Sequence, residues 1–193
     1  MTKTHCITLA LFLTVSLVAQ EETLVGEEIQ SGGYGGPVWK LTPINGTSTS
    51  LTGGRGAWLI NHKFGIGGGG YGTVSDVKSE FTLDDRPLYI ELDYGGLELE
   101  YIHDSDKLLH WTLHTLLSTG TVKLRQHSPD REVQSDKIYL LEPSLNADLN
   151  IAKWFRIGFG VSYRYVIDLD LAPLSQSDLR SLSGLIYLKF GSF

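Results

Sequence analysis

Residues 153–168 read KWFRIGFGVSYRYVID. Two interleaved series run through this stretch. Phe155, Ile157, Phe159, Val161, Tyr163, Tyr165 and Ile167 are apolar or aromatic without a break. Trp154, Arg156, Gly158, Gly160, Ser162, Arg164 and Asp168 lie between them and are mostly small or charged. A period of two sustained this long is one β-strand with two unlike faces. The fold then turns on which face meets water. A soluble barrel would hide the apolar series and show the charges, and a membrane barrel would do the reverse.

The rest of the chain repeats the pattern. Strand-like segments occupy roughly 31–44, 49–62, 64–75, 88–103, 108–122, 137–150, 153–167 and 184–193. They alternate, end in turn chemistry and are rich in β-branched and aromatic residues. NHK (61–63), HDSDK (103–107) and NIAK (150–153) are tight connections, whereas 74–87, 124–136 and 168–183 are long and polar. NGTST (45–49) is shorter but falls in phase with the long set. Long loops at one end and tight turns at the other, with both termini at the tight end, is the pattern of bacterial outer-membrane barrels. The expected fold is all-β: an eight-stranded antiparallel up-and-down transmembrane β-barrel over residues 31–193, after an acidic lead-in at 21–30. SQSDLRSLSG (175–184) is expected to form a short helix in the last loop, capped by Ser175 or Ser177.

Residues 1–20 are excluded from the fold. Lys3, the apolar run ITLALFLTVSLVA (7–19) and the following VAQEE read as a secretory signal peptide removed near Ala19 or Gln20. The run is short of the roughly 20 residues a spanning helix needs. Cys6 leaves with it, so the mature chain has neither disulfide nor thiolate chemistry. At 193 residues the chain is one domain. Its 16 basic residues less Lys3 leave 15 against 22 acidic ones, a formal charge of −7. That balance excludes nucleic acid and anionic membrane surfaces as expected partners.

Three features turn the apolar face toward lipid. The opposite face carries Glu98, Glu100, Glu142 and Asp148 with Arg55, Arg156 and Arg164, and with His110, His114 and Asn146 among them. Arginine suits bidentate, desolvated pairs in a narrow interior, and eight strands leave a lumen only wide enough for side chains, so a packed ionic plug is expected. In the fourth strand the apolar series changes parity at Gly95-Gly96, which reads as a bulge. Next, Trp39, Trp58, Tyr101, Trp111, Phe155, Tyr163 and Tyr165 stand on the apolar faces near strand ends, as interfacial aromatics do. Finally, GLIYLKFGSF (184–193) resembles the terminal signal read by the barrel-assembly machinery. Phe193 falls out of phase with Ile186, Leu188 and Phe190, and Lys189 stands where an apolar residue would suit that signal better. The expected partners are outer-membrane lipid and lipopolysaccharide, the barrel-assembly machinery, and a surface partner contacted through loops 74–87, 124–136 and 168–183.

SGGYGGPVWKLTPINGTSTSLTGGRGAWLINHKFGIGGGGYG (31–72), LEPSLNADLNIAKWFRIGFGVSYRYV (141–166) and IYLKFGSF (186–193) together resemble a group of uncharacterised exported outer-membrane barrel proteins of Bacteroidetes-like and other Gram-negative bacteria. The resemblance covers nearly the whole mature chain and implies fold and an outer-membrane location, with no activity attached. In topology alone the chain is similar to the OmpA/OmpX-type eight-stranded barrels, and fold analogy does not transmit function.

Motifs for chemistry are sparse. The runs GGYGG, GGRG and GIGGGGYG lack the Lys-Ser/Thr of a phosphate loop and precede no helix; their glycines are expected to face bulky neighbours. His110 and His114 share a face, but four residues along a strand is about 13 Å, too far to chelate one metal together. Ser144 and Ser162 point inward, so no Ser/His/acid trio faces lipid. Asp84, Asp85, His127, Asp130 and Asp178 read as solvated loop residues. No catalytic, cofactor or metal residue is therefore expected, and the reading is a non-enzymatic structural or surface-interaction protein. The alternatives are a soluble periplasmic lipocalin-like barrel binding an apolar ligand, and an outer-membrane lipid-modifying enzyme.

Overall fold

The computed structural model describes residues 29–74, 77–127 and 129–193. The expected signal peptide and most of the lead-in lie outside the described residues. Nine strands and one helical turn follow in order: β1 (Ser31–Ile44), β2 (Thr47–Ile60), β3 (Phe64–Thr73), β4 (Val77–Leu83), β5 (Arg86–His103), β6 (Leu109–His127), β7 (Asp130–Ala152), β8 (Phe155–Ile167), α1 (Gln176–Leu179) and β9 (Ser181–Ser192). All pairings are antiparallel between chain neighbours, except that β3 also pairs with β5 and β9 returns to β1. β3 and β4 are successive pieces of one wall strand, for both lie along β5: β3 against 93–101 and β4 against 86–90. The ring therefore closes with eight members. Asn45–Gly46, Asn61–His62 and Asp84–Asp85 take positive φ, the conformation that two-residue hairpin turns demand and that Asn, Asp and Gly tolerate best.

Two of the expected long loops are instead extended hairpins. β4 and β5 run up to the turn at Asp84–Asp85, and β6 and β7 continue to His127 and Asp130. Polar composition at 74–87 and 124–136 suggested coil, yet inward residues such as Val77, Leu124 and Gln126 are buried while their neighbours face out. A strand above the membrane has water on its outer face, so half its residues must be polar. Of the three expected long loops only the last is irregular, over 168–180. It folds back over the lumen and buries Leu171, Leu174 and Leu179. Its helix is confined to Gln176–Leu179, where the Ser175 amide donates to the Asp178 carboxylate at 2.8 Å.

The expected bulge at Gly95-Gly96 is absent. Gly95 faces Gly70 and Thr119, Gly96 faces Gly69 and Ser118, and the register runs through both without a shift. Even-numbered residues of β5 point inward from Leu88 to Ile102. What changes at the glycines is the lumen. In the upper barrel Leu88, Ile90, Leu92 and Tyr94 join Val122, Leu124, Ile138, Leu140, Val166 and the lid residues Leu171, Leu174 and Leu179 in one apolar core. Their outward neighbours are Tyr89, Glu91 and Asp93. Lower down, Glu98 and Glu100 point in, and Leu97 and Leu99 point out, more than two-fifths exposed. The molecule thus has two solvents. Below it is oily outside and ionic within; above it is oily within and polar outside.

The outward series of β6 locates the boundary. Leu109, Trp111, Leu113, Thr115 and Leu117 give way at Thr119 and Thr121 to Lys123 and Arg125. Ten rises of about 3.3 Å at a tilt of about 40° make a band roughly 25 Å tall, the height of the apolar belt of membrane barrels.

Candidate functional site

The lower lumen is filled by alternate side chains of every wall strand. From β7, Glu142 accepts hydrogen bonds from Lys40 Nζ (2.8 Å), Tyr94 Oη (2.8 Å) and Ser162 Oγ (2.6 Å). The same ammonium lies 3.5 Å from the centre of the Tyr71 ring. Nearer the short turns, Lys189 Nζ bridges Glu100 at 2.5 Å and Asp148 at 2.8 Å. Tyr34 donates to the second oxygen of Glu100 at 2.8 Å, and Tyr187 donates to the second oxygen of Asp148. Glu98 accepts from Tyr71 at 2.6 Å and stands 3.1 Å from His114 Nε2. All four carboxylates are at most 4% exposed. Unpaired they would be prohibitive there, and each has both a cationic or imidazole neighbour and a tyrosine hydroxyl.

Every residue of the expected interior set is on the inward face and buried: Arg55, Glu98, Glu100, His110, His114, Glu142, Asn146, Asp148, Arg156 and Arg164. His110 and Asp148 approach only to 3.9 Å, and Asn146 bonds Thr112 (3.3 Å) and Ser144 (3.2 Å). The expected arginine–carboxylate pairs are not formed. Among the described residues, lysines make the ion pairs of the lumen, and His110 and His114 stand beside Asp148 and Glu98. Arg55 lies 3.8 Å over the Tyr187 ring, Arg156 lies 3.9 Å over the Phe193 ring, and Arg164 donates to the carbonyls of Leu179 (2.8 Å) and Pro43 (3.2 Å). The physical reason is geometric. A guanidinium fork needs a coplanar carboxylate with two free oxygens, and in each of the four acids a tyrosine already holds one of them. An ammonium has three rotatable donors and can bridge acids on two strands.

Sequence reasoning missed the working cations Lys40 and Lys189 and the tyrosines Tyr34, Tyr71, Tyr94 and Tyr187. Parity was the available signal. Lys40 shares the inward phase of Tyr34 and Val38 on β1, and Lys189 shares that of Leu185 and Tyr187 on β9. Lys189 is not a misplaced lipid-face residue but the centre of the network. Phe193 is out of phase with Phe190 for the same reason: it turns inward and stacks on Tyr34 with ring centroids 6.1 Å apart.

Room for this network is made by glycine. A methyl group on Gly158 would be driven into the Tyr187 ring and the Asp148 carboxylate. Gly158→Ala is expected to cost about 1–3 kcal/mol by overpacking. Gly184→Ala, where nothing lies within 4 Å, should be neutral. Equal denaturation midpoints for the two variants would show that the packing at Gly158 is looser than described.

Of the expected interfacial aromatics, Trp58, Tyr101, Trp111 and Phe155 gather at the short-turn rim with Phe64, His103, Trp154 and Phe190. Tyr101 packs 5.5 Å from Phe64 and 5.9 Å from Trp111, and Phe155 stacks at 5.0 Å on Phe190. Tyr163 and Tyr165 stand toward the opposite end of β8, with the Arg180 guanidinium 4.1 Å over the Tyr165 ring. Trp39 is outward, but it faces Thr52 and Ile186 in mid-wall rather than at a rim.

No family model matches the sequence, and no curated protein is similar to it. Solved structures are similar in fold. Neisserial surface protein A superposes with a TM-score of 0.56 at 12% identity, covering 86% of this chain and 99% of that one. Ail of Yersinia pestis, solved in complex with the heparin analogue sucrose octasulfate, gives 0.53 at 11% identity over 85% and 99%. The N-terminal β-barrel domain of Pseudomonas aeruginosa OprF gives 0.56 at 9% identity over 85% and 99%. At such identities the likeness concerns architecture. The chain has the fold of the eight-stranded outer-membrane β-barrels, and the topological resemblance to OmpA/OmpX-type barrels holds in three dimensions.

Proposed function

We propose that this chain is an integral outer-membrane protein, non-enzymatic, whose lumen is locked shut and whose work is done by its walls and its upper hairpins. The carrying observation is the pair of ionic bridges across the lumen, Lys40–Glu142 and Lys189 with Glu100 and Asp148, closed above by an apolar core. Such a filling serves as a rigid strut, not a conduit. The apolar band faces lipid and lipopolysaccharide, and the outward Ile186, Leu188 and Phe190 of β9 offer the barrel-assembly machinery its signal. The role is structural, or it is contact with a surface partner through 74–87, 124–136 and 168–183. A soluble carrier would need an empty apolar lumen at mid-barrel, where the ionic bridges sit instead. A lipid-modifying enzyme would need a nucleophile on the band, whereas Ser162 is spent on Glu142 inside.

Cell fractionation, gel migration with and without heating, and planar-bilayer recording test this reading. Expected are recovery in the outer membrane, extraction only by detergent, faster migration of the unheated form, and no steady conductance. Recovery as a detergent-free soluble protein would overturn the location, and a stable open channel in the wild type would overturn the strut.

A further inference from the structure

We propose that the short-turn mouth of the barrel binds a small monocarboxylate. The turns at 61–63, 104–108 and 153–154 and the residue Phe193 surround a cavity of about 450 Å³ there. That is enough for a dipeptide-sized ligand.

The floor of the cavity is Arg156. It is 5% exposed, yet its hydrogen bond among the described residues is a long one, 3.3 Å from Nη2 to the Ser105 carbonyl. Phe193 covers one face of the guanidinium at 3.9 Å and holds its plane. The acids deeper in the lumen on this side, Glu100 and Asp148, are already bridged by Lys189. Arg156 therefore brings a buried positive charge and spare donors to the cavity with no carboxylate in ion-pair contact. A coplanar carboxylate entering along the free edge would complete it with two parallel hydrogen bonds.

The walls narrow the ligand class. Lys153 adds a second positive charge at the rim, and Asp106 subtracts one. Counted over Lys, Arg, Asp and Glu side chains, Arg156 and Lys153 against Asp106 leave one positive charge, which matches a monoanion better than a phosphate dianion. Asn150 braces this wall: its Nδ2 donates to the carbonyls of Ser105 (3.0 Å) and Lys107 (2.7 Å), and the Ser105 carbonyl is the one that Arg156 also meets.

The test is calorimetric titration of the full chain in detergent micelles with N-acetyl-alanyl-alanine, with its C-terminal amide, and with inorganic phosphate. Saturable binding of the acid is expected, with neither the amide nor phosphate binding measurably. Arg156→Gln should weaken binding at least about tenfold, because a neutral amide loses both charge and fork. Should that variant fail to show the heat-dependent migration of a folded barrel, Lys153→Glu on the exposed turn takes its place, and loss of binding is expected there too. Equal binding of acid and amide, displacement of the acid by phosphate, or unchanged affinity in either folded variant would overturn the proposal.

Discussion

Lys189→Met should lower the stability of the folded barrel by about 3–5 kcal/mol, because it leaves two buried carboxylates without their shared cation. Glu100 and Asp148 are 4% and 0% exposed, and each meets the ammonium within 2.8 Å. Methionine matches the stem of lysine in length, so the loss is one of charge and hydrogen bonds rather than of volume. Denaturant unfolding in lipid vesicles, followed by tryptophan fluorescence, measures it. Adding Glu100→Gln and Asp148→Asn to the same chain should recover much of the loss, since the penalty lies in the abandoned charges and not in the missing bridge. Wild-type stability in the single variant would mean that this cluster is hydrated and the lumen open to water.

Phe159→Arg should cost about 2–4 kcal/mol, the range for a cation at the middle of a bilayer-facing wall. Phe159 is outward, 52% exposed, and lies between Ala147 and Ile186. The same substitution at Thr121, outward on β6 but above the apolar band, should cost about 0–1 kcal/mol. The contrast between the two positions measures the depth of the water line independently of parity. Similar costs at both would move the band or remove it.

Parity was legible in the sequence, and height was not. The alternation of 153–167 divides β8 as burial does, with Phe159, Val161, Tyr163, Tyr165 and Ile167 exposed and Arg156, Gly158, Ser162 and Arg164 buried, and on the same rule His110, His114, Glu142 and Asp148 are buried. A period of two, however, says nothing of what surrounds a face at a given level. Leu88, Ile90 and Leu92 share a face with Glu98 and Glu100, and only the position of the membrane explains why one end of that face is oily and the other ionic. Composition taken as a guide to solvent therefore produced a bulge at Gly95-Gly96 that the register does not contain, and loops where hairpins stand. Which cation meets which acid was also hidden. Lys189 reaches Glu100 across 89 positions and Lys40 reaches Glu142 across 102, so these contacts follow from ring closure and from no local spacing.

The seam between β1 and β9 has a bearing on how the molecule is made. Backbone amides facing hydrocarbon cannot be left raw, so no arc of fewer than eight wall segments is a viable resident of a bilayer. The earliest and latest strands of the wall pair with each other, and contacts so distant along the chain are the slow kind to form. Until β9 docks on β1 the wall keeps two open edges, so a chain cut short before β9 is expected to give no smaller closed barrel.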